Sequence, residues 1–191
     1  MTNIAIFASG SGTNAEAIME HFAASTTARV ALLLSNRADA FALKRAERFG
    51  VPTAVFSREE FRDPEGAVAR LLKEHHIEFI VLAGFLWLVP DYLTARYAGR
   101  IVNIHPALLP KFGGKGMYGH HVHEAVLAAG ETQSGITIHL VNERYDSGDI
   151  LFQATVPVSP DDTPDSLAEK IHTLEHRHFP TVIEQTIQQL G

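Results

Sequence analysis

Short runs that are apolar almost throughout alternate, along most of the chain, with stretches in which apolar side chains return every three or four positions. NIAIFAS (3–9) is the first run, and NAEAIMEHFAA (14–24) follows it with Ala15, Ile18, Met19 and Phe22 on one helical face. RVALLLSN (29–36) and DAFALKRAERFG (39–50) repeat the pair, with Gly50 placed to end the helix. PTAVFS (52–57) reads as a short third strand, and PEGAVARLLKEHH (64–76) as a helix with Pro64 near its first turn. IEFIVLAGF (77–85) is apolar enough for a strand covered on both faces, and IVNIHPALLP (101–110) is the fifth strand and its exit.

The rhythm then changes. SGITIHLVNE (134–143) and DILFQATVPVS (149–159) alternate more clearly, joined through the turn RYDSGD (144–149). They predict an antiparallel hairpin on the edge of the sheet. A long helix follows from Thr163, its cap, with Pro164 at the first position and Pro180 placed to kink or break it. Strands separated by helices imply an α/β domain: a doubly wound, mostly parallel sheet with helices on both faces, an antiparallel C-terminal edge hairpin and a long C-terminal helix. No repeat, linker or low-complexity tract interrupts it, so residues 1–191 are expected to form a single domain. In such sheets ligands bind beyond the carboxyl ends of the strands.

Composition narrows the chemistry. The chain has no cysteine, which excludes disulfides, thiolate metal sites and cysteine nucleophiles. A net charge of −6 without a basic run argues against nucleic-acid binding. No stretch approaches the apolar length of a membrane span and no signal-like start is present, so a cytoplasmic location is expected. Of the eleven histidines, the GHHVH group (His120, His121, His123), in or beside a glycine-rich loop, and the His172/His176 pair invite a metal reading. The first has no carboxylate at useful spacing, the second reads as a solvated or packing face of a helix, and no metal is expected.

Two places carry candidate chemistry. In ASGSGTNAEA (8–17), Gly10 and Gly12 let backbone approach an anion at a helix N-terminus, with Ser11, Thr13 and Asn14 as further donors. Without a following lysine it is not a Walker loop. Gly10, Gly12 and Ala15 also fit a dinucleotide pattern, with Arg37 available to an NADP phosphate; a tight turn capped by Asn14 is the plainer reading. In VNIHP, Asn103 and His105 project to the same side of a strand at its carboxyl end. An amide donor and an imidazole there suit a carbonyl oxygen becoming an oxyanion, where losing one donor costs roughly 3–4 kcal/mol. A carboxylate would favour the charged imidazole; Asp146 and Asp149 compete for that place, and spacing does not choose between them.

NIHPALLPKF (103–112), followed by ITIHLVNERYDSGDILFQ (136–153), closely resembles the 10-formyltetrahydrofolate-dependent formyltransferases, and IFASGSGTN (6–14) extends the likeness over nearly the whole chain. The resemblance implies a Rossmann-like formyltransferase fold and 10-formyltetrahydrofolate as co-substrate. It implies Asn103, His105 and Asp146 as the catalytic trio, which selects Asp146 over Asp149. The glycine loop implies phosphoribosylglycinamide as acceptor, with Gly12, Thr13 and Asn14 at its phosphate and Glu175 touching it from the last helix. The folate contacts implied are Arg58, the LWLV segment (Leu86, Trp87, Leu88, Val89), Asn103, and Asn142, Glu143, Arg144 and Tyr145. No metal, nucleic acid or membrane enters this picture; a monomer or homodimer acting on small molecules does. A tRNA-directed member would carry a further C-terminal domain, and a formyl-folate hydrolase an extra N-terminal one. Two features depart from the usual pattern: Trp87 stands where Arg or Lys is common, and the glycine-rich segment 112–119 is longer than in many members.

Overall fold

A computed structural model describes residues 1–191. Seven strands form one sheet: β1 (Thr2–Phe7), β2 (Ala28–Ser35), β3 (Thr53–Val55), β4 (Phe79–Leu82), β5 (Ile101–His105), β6 (Gln133–Leu140) and β7 (Ile150–Pro157), in the order β3-β2-β1-β4-β5-β6-β7. The first five are mutually parallel; β6 runs antiparallel to β5, and β7 to β6. The edge hairpin is therefore where the change of rhythm placed it.

Seven helices accompany the sheet: α1 (Thr13–Phe22), α2 (Phe41–Arg48), α3 (Arg58–Arg62), α4 (Ala67–Glu74), α5 (Asp91–Arg96), α6 (His120–Ala128) and α7 (Pro164–Leu190). Alternation along the strands divides the core in two. Ile4, Ile6, Leu33, Val81, Val102 and Ile104 pack with α1, α2, α6 and α7, whereas Ala5, Phe7, Leu32, Leu34, Ile80 and Leu82 pack with Phe61, Val68, Leu72 and Leu93 from α3, α4 and α5. Both sheet faces are thus covered, which is why the central strands carry almost no polar side chains.

Several expectations shift. The helix expected from Pro64 begins at Ala67, behind a Gly66 N-cap whose N–H donates to the Asp63 carbonyl. The fourth strand ends at Leu82, because residues from Ala83 onward leave the sheet for the cleft described below. α3, α5 and α6 were not predicted, and α6 takes in His120, His121 and His123, which the sequence placed in or beside a loop. Helix α7 runs unbroken through Pro180. An interior proline costs about 3 kcal/mol. Against that, Leu167, Ile171, Phe179 and Ile183 are fully buried, each contributing about 1.5–3 kcal/mol, and a Thr163 capping box fixes the first turn. Packing wins.

Strand order reverses beside β1, whose neighbours are β2 on one side and β4 on the other. Loops leaving the carboxyl ends of β1 and β4 diverge there and open a crevice.

Candidate active site

The crevice is a cleft of about 660 Å³ running across the carboxyl ends of β1, β4 and β5. Its first wall is the loop between β1 and α1. Gly12 has φ 76°, and a Cβ there would meet Ala42 of α2 at 2.5 Å, so only glycine lets the loop lie this close to the second helix. Gly12 is also the N-cap of α1; Asn14, weighed as the cap, lies inside the helix instead. Arg45 donates from Nε to the Ser11 carbonyl at 2.7 Å and pairs with Glu16, holding the loop from outside. Ser9 ties the strand ends together, its hydroxyl donating to Asn36 Oδ1 (2.7 Å) and accepting from the Leu86 N–H (3.2 Å).

Asn103 and His105 lie side by side at the end of β5 and both line the cleft. The exit after them is braced by the hairpin: Thr137 Oγ1 donates to the Ala107 carbonyl (2.7 Å) and accepts from the Leu109 N–H (3.0 Å), while Gln153 Nε2 donates to the Leu109 carbonyl (3.0 Å). Asp146 arrives on the β6–β7 turn with φ 50°. Its Oδ2 accepts from the Gly114 N–H at 3.0 Å and stands 3.5 Å from His105 Nδ1; its Oδ1 stands 3.6 Å from His139 Nε2. His105 Nε2 donates to the Phe112 carbonyl at 2.7 Å. His139, paired with Asn103 across the sheet, stands 3.2 Å from Asn103 Nδ2.

Burial sets the charges. It pushes His105 below the ordinary imidazole range, and Asp146 and the Phe112 carbonyl only partly offset this. Burial would raise Asp146, yet His139, His105 and the Gly114 N–H together hold its carboxyl below the ordinary value. In the free site burial thus works against a charged imidazole, while the Asp146 carboxylate works for it. Further along, Glu175 of α7 is 6 % exposed, and burial pushes its carboxyl up to about 7 against the opposing Asn14 Nδ2–H, which donates to Oε2 at 2.9 Å. Asn14 Oδ1 is buried without a partner.

Most of the residues singled out from sequence meet in this cleft: Gly12, Thr13, Asn14, Leu86, Trp87, Leu88, Val89, Asn103, His105, Arg144, Tyr145, Asp146 and Glu175. Three do not line it. Arg58 lies just outside, its guanidinium 4.5 Å from the centre of the Trp87 ring. Asn142 organises the turn instead, its Oδ1 accepting from the Arg144 N–H and the Ser147 hydroxyl, both at 2.9 Å. Glu143 is exposed on that turn. Trp87 belongs to an aromatic cluster with Phe56, Phe61 and Phe85. Arg37, offered to a dinucleotide, also lines the cleft, largely exposed and bridged at 3.1 Å to Asp39.

Sequence reasoning missed His139 and gave no cleft role to His123. Across the sheet from Asn103, His139 would have needed the antiparallel register to be found. His123 was visible only as part of a histidine cluster; it is buried, its Nδ1 has no partner, and burial followed by neighbouring histidines pushes it down to about 4. No group of three or more metal-ligating side chains is close enough to hold an ion, and no helix is long and apolar enough to cross a membrane.

An amide and a buried imidazole beside a carboxylate, with a glycine loop at a helix N-terminus at the other end of the cleft, make an arrangement chemically suited to acyl transfer. The family model described as formyl transferase matches residues 2–183, and the chain belongs to that family. More particularly, it is similar to the phosphoribosylglycinamide formyltransferase of Bacillus subtilis (strain 168), 37% identical over 191 residues that cover 98% of this chain and 95% of that one. The chloroplastic enzyme of that name from Arabidopsis thaliana is 41% identical over 185 residues, which are 94% of this chain but 63% of the longer relative. The chain spans a smaller share, 18%, of the trifunctional purine biosynthetic protein adenosine-3 of Gallus gallus. The crystal structure of phosphoribosylglycinamide formyltransferase from Bacillus halodurans superposes with a TM-score of 0.89 at 37% identity, covering 100% of this chain and 97% of that one.

Proposed function

We propose that this protein transfers the formyl group of 10-formyltetrahydrofolate to the amine of phosphoribosylglycinamide, a step of purine biosynthesis. The observation that carries the reading is the convergence of Asn103, His105 and Asp146 at the end of β5, with Asp146 Oδ2 3.5 Å from the buried imidazole. The acceptor amine attacks the formyl carbon, forming a C–N bond and a tetrahedral oxyanion. Collapse breaks the bond to N10 of the folate, and the proton leaving the amine ends on N10. Asn103 donates to the oxyanion through its amide. His105 becomes a second donor once its Nε2–H is released from the Phe112 carbonyl, and negative charge developing on the substrate together with Asp146 then favours the imidazolium.

The glycine loop supports the other half of the reading. Free N–H groups at the start of α1, with Thr13, suit the ribonucleotide phosphate. The partnerless Asn14 Oδ1 and the adjacent Glu175 offer acceptors to ribose hydroxyls or the amine. On the far side Leu86, Leu88, Val89 and Tyr145 give the pterin an apolar slot, and Arg58 over Trp87 supplies a cation for the glutamyl carboxylates. Holding both substrates in one cleft supplies the orientation that a two-substrate reaction needs.

The test is a spectrophotometric assay of 10-formyltetrahydrofolate consumption with and without phosphoribosylglycinamide. Consumption that requires the ribonucleotide is expected. Consumption without it would make the protein a hydrolase, and none in either case would return the glycine loop to dinucleotides.

A further inference from the structure

His139 is 2 % exposed and faces Asn103 as its antiparallel partner in the sheet. Its Nδ1 stands 2.8 Å from the Leu140 carbonyl oxygen. A carbonyl oxygen only accepts, so Nδ1 carries the proton and, in the neutral ring, Nε2 holds a lone pair. Nε2 has two polar neighbours: Asp146 Oδ1 at 3.6 Å, beyond hydrogen-bond reach, and Asn103 Nδ2 at 3.2 Å, a group that only donates and so faces the lone pair. The asparagine amide has two orientations, related by a half-turn, which exchange its NH2 and its oxygen. The one presenting Oδ1 to Nε2 would set two lone pairs against each other away from water. His139 therefore selects the orientation that points the amide nitrogen toward β6, spends one N–H on the imidazole and leaves the other for the cleft.

We propose that His139 is a positioning residue for formyl transfer: its tautomer, set by the Leu140 carbonyl, fixes the Asn103 amide as an oxyanion donor. The inference rests on the reading of Asn103 given above. On the same side of β6, two positions earlier, Thr137 is fully buried and committed to the Ala107 and Leu109 backbone, so His139 is the side chain of that face left to meet Asn103.

Two variants separate the functions of the ring. His139→Asn keeps a side-chain N–H within reach of the Leu140 carbonyl but is too short to accept from Asn103. His139→Gln restores an acceptor, Oε1, at the distance of Nε2. Each is assayed for kcat and for both KM values, in the wild-type chain and in an Asn103→Ala background. The expected result is a fall in kcat of about ten-fold or more for His139→Asn, with KM values within about two-fold, and substantial recovery in His139→Gln. Where Asn103 is already Ala, neither variant should lower kcat further, because neighbours that act through one group are not additive.

A His139→Asn kcat within about two-fold of wild type would overturn the proposal, and so would an equal loss in the Asn103→Ala background, which would mean that the ring acts on the fold or on Asp146. The Asn103→Ala variant keeps the two readings apart. If it retains wild-type kcat, the oxyanion reading of Asn103 fails and this one with it. If it loses kcat while His139→Asn does not, only the positioning role is removed.

Discussion

Buried carboxyls at this site titrate in opposite senses, and that gives a residue-scale test. Asp146 is held below 3.8 by its partners, so the stability it contributes is present above the ordinary carboxylate range and is lost as pH falls through its folded value. Glu175 goes the other way. Burial lifts it from 4.5 to about 7, so the folded chain binds a proton that the unfolded chain has released. Its contribution is complete below about 4.5 and is lost as pH rises through about 7. The two windows do not overlap. Glu175→Gln, which stays neutral, should flatten the decline in stability between pH 5 and 7.5 measured by urea midpoints, recovering on the order of 3 kcal/mol at the upper end. An unchanged slope would mean that Glu175 is ionised in the folded protein. Legibility at this scale followed the strand period: Asn103 and His105 could be placed together because period two and the following Pro106 fix their side. His139 could not, since its neighbour lies 36 positions away across an antiparallel pairing. Asn142 does not line the cleft, because its side chain serves its own turn.

At the scale of elements, the short helices were the hardest to read. α3 has only five residues, too few to show a period, although Ser57 and Glu60 form the capping box that marks a helix start. α5 has six residues and begins behind Pro90. α6 follows a segment with positive φ at Gly114, Gly116 and Gly119, so its start carries no side-chain cap to announce it. The loop between β1 and α1 was legible because glycines at a strand end leave few alternatives, and its conformation now yields a prediction. Gly12→Ala must either leave φ 76° or press on Ala42 at 2.5 Å. We expect a loss of about 1–3 kcal/mol in stability. The KM for the ribonucleotide should rise well beyond that for the folate, because the displaced backbone lies at the end of the cleft proposed for the phosphate. Equal effects on both KM values would place the phosphate elsewhere.

For the molecule as a whole, the doubly wound plan was readable because covered strands need apolar runs on both faces, and the hairpin because an edge exposed on one side does not. How the two core layers share stability was not readable, since that depends on what the crossing elements bury. The layers meet only through the sheet, yet they are not separable: Ile4 and Ala5, consecutive on β1, feed opposite layers, and so do Leu33 and Leu34 on β2. Loss of either layer would strip one face of the same strands. We therefore propose that the chain unfolds as one domain. The single Trp87 packs against the layer holding Phe56 and Phe61, whereas α7, the longest helix, covers the other. Trp87 fluorescence thus reports one layer, whereas far-ultraviolet circular dichroism reports all helices, most of whose residues lie on the other. Their urea transitions should coincide in midpoint and slope. A fluorescence transition at lower urea than the helical one would show the layer beneath Trp87 opening alone, and the side of the cleft proposed for the pterin would then be a separately unfolding unit.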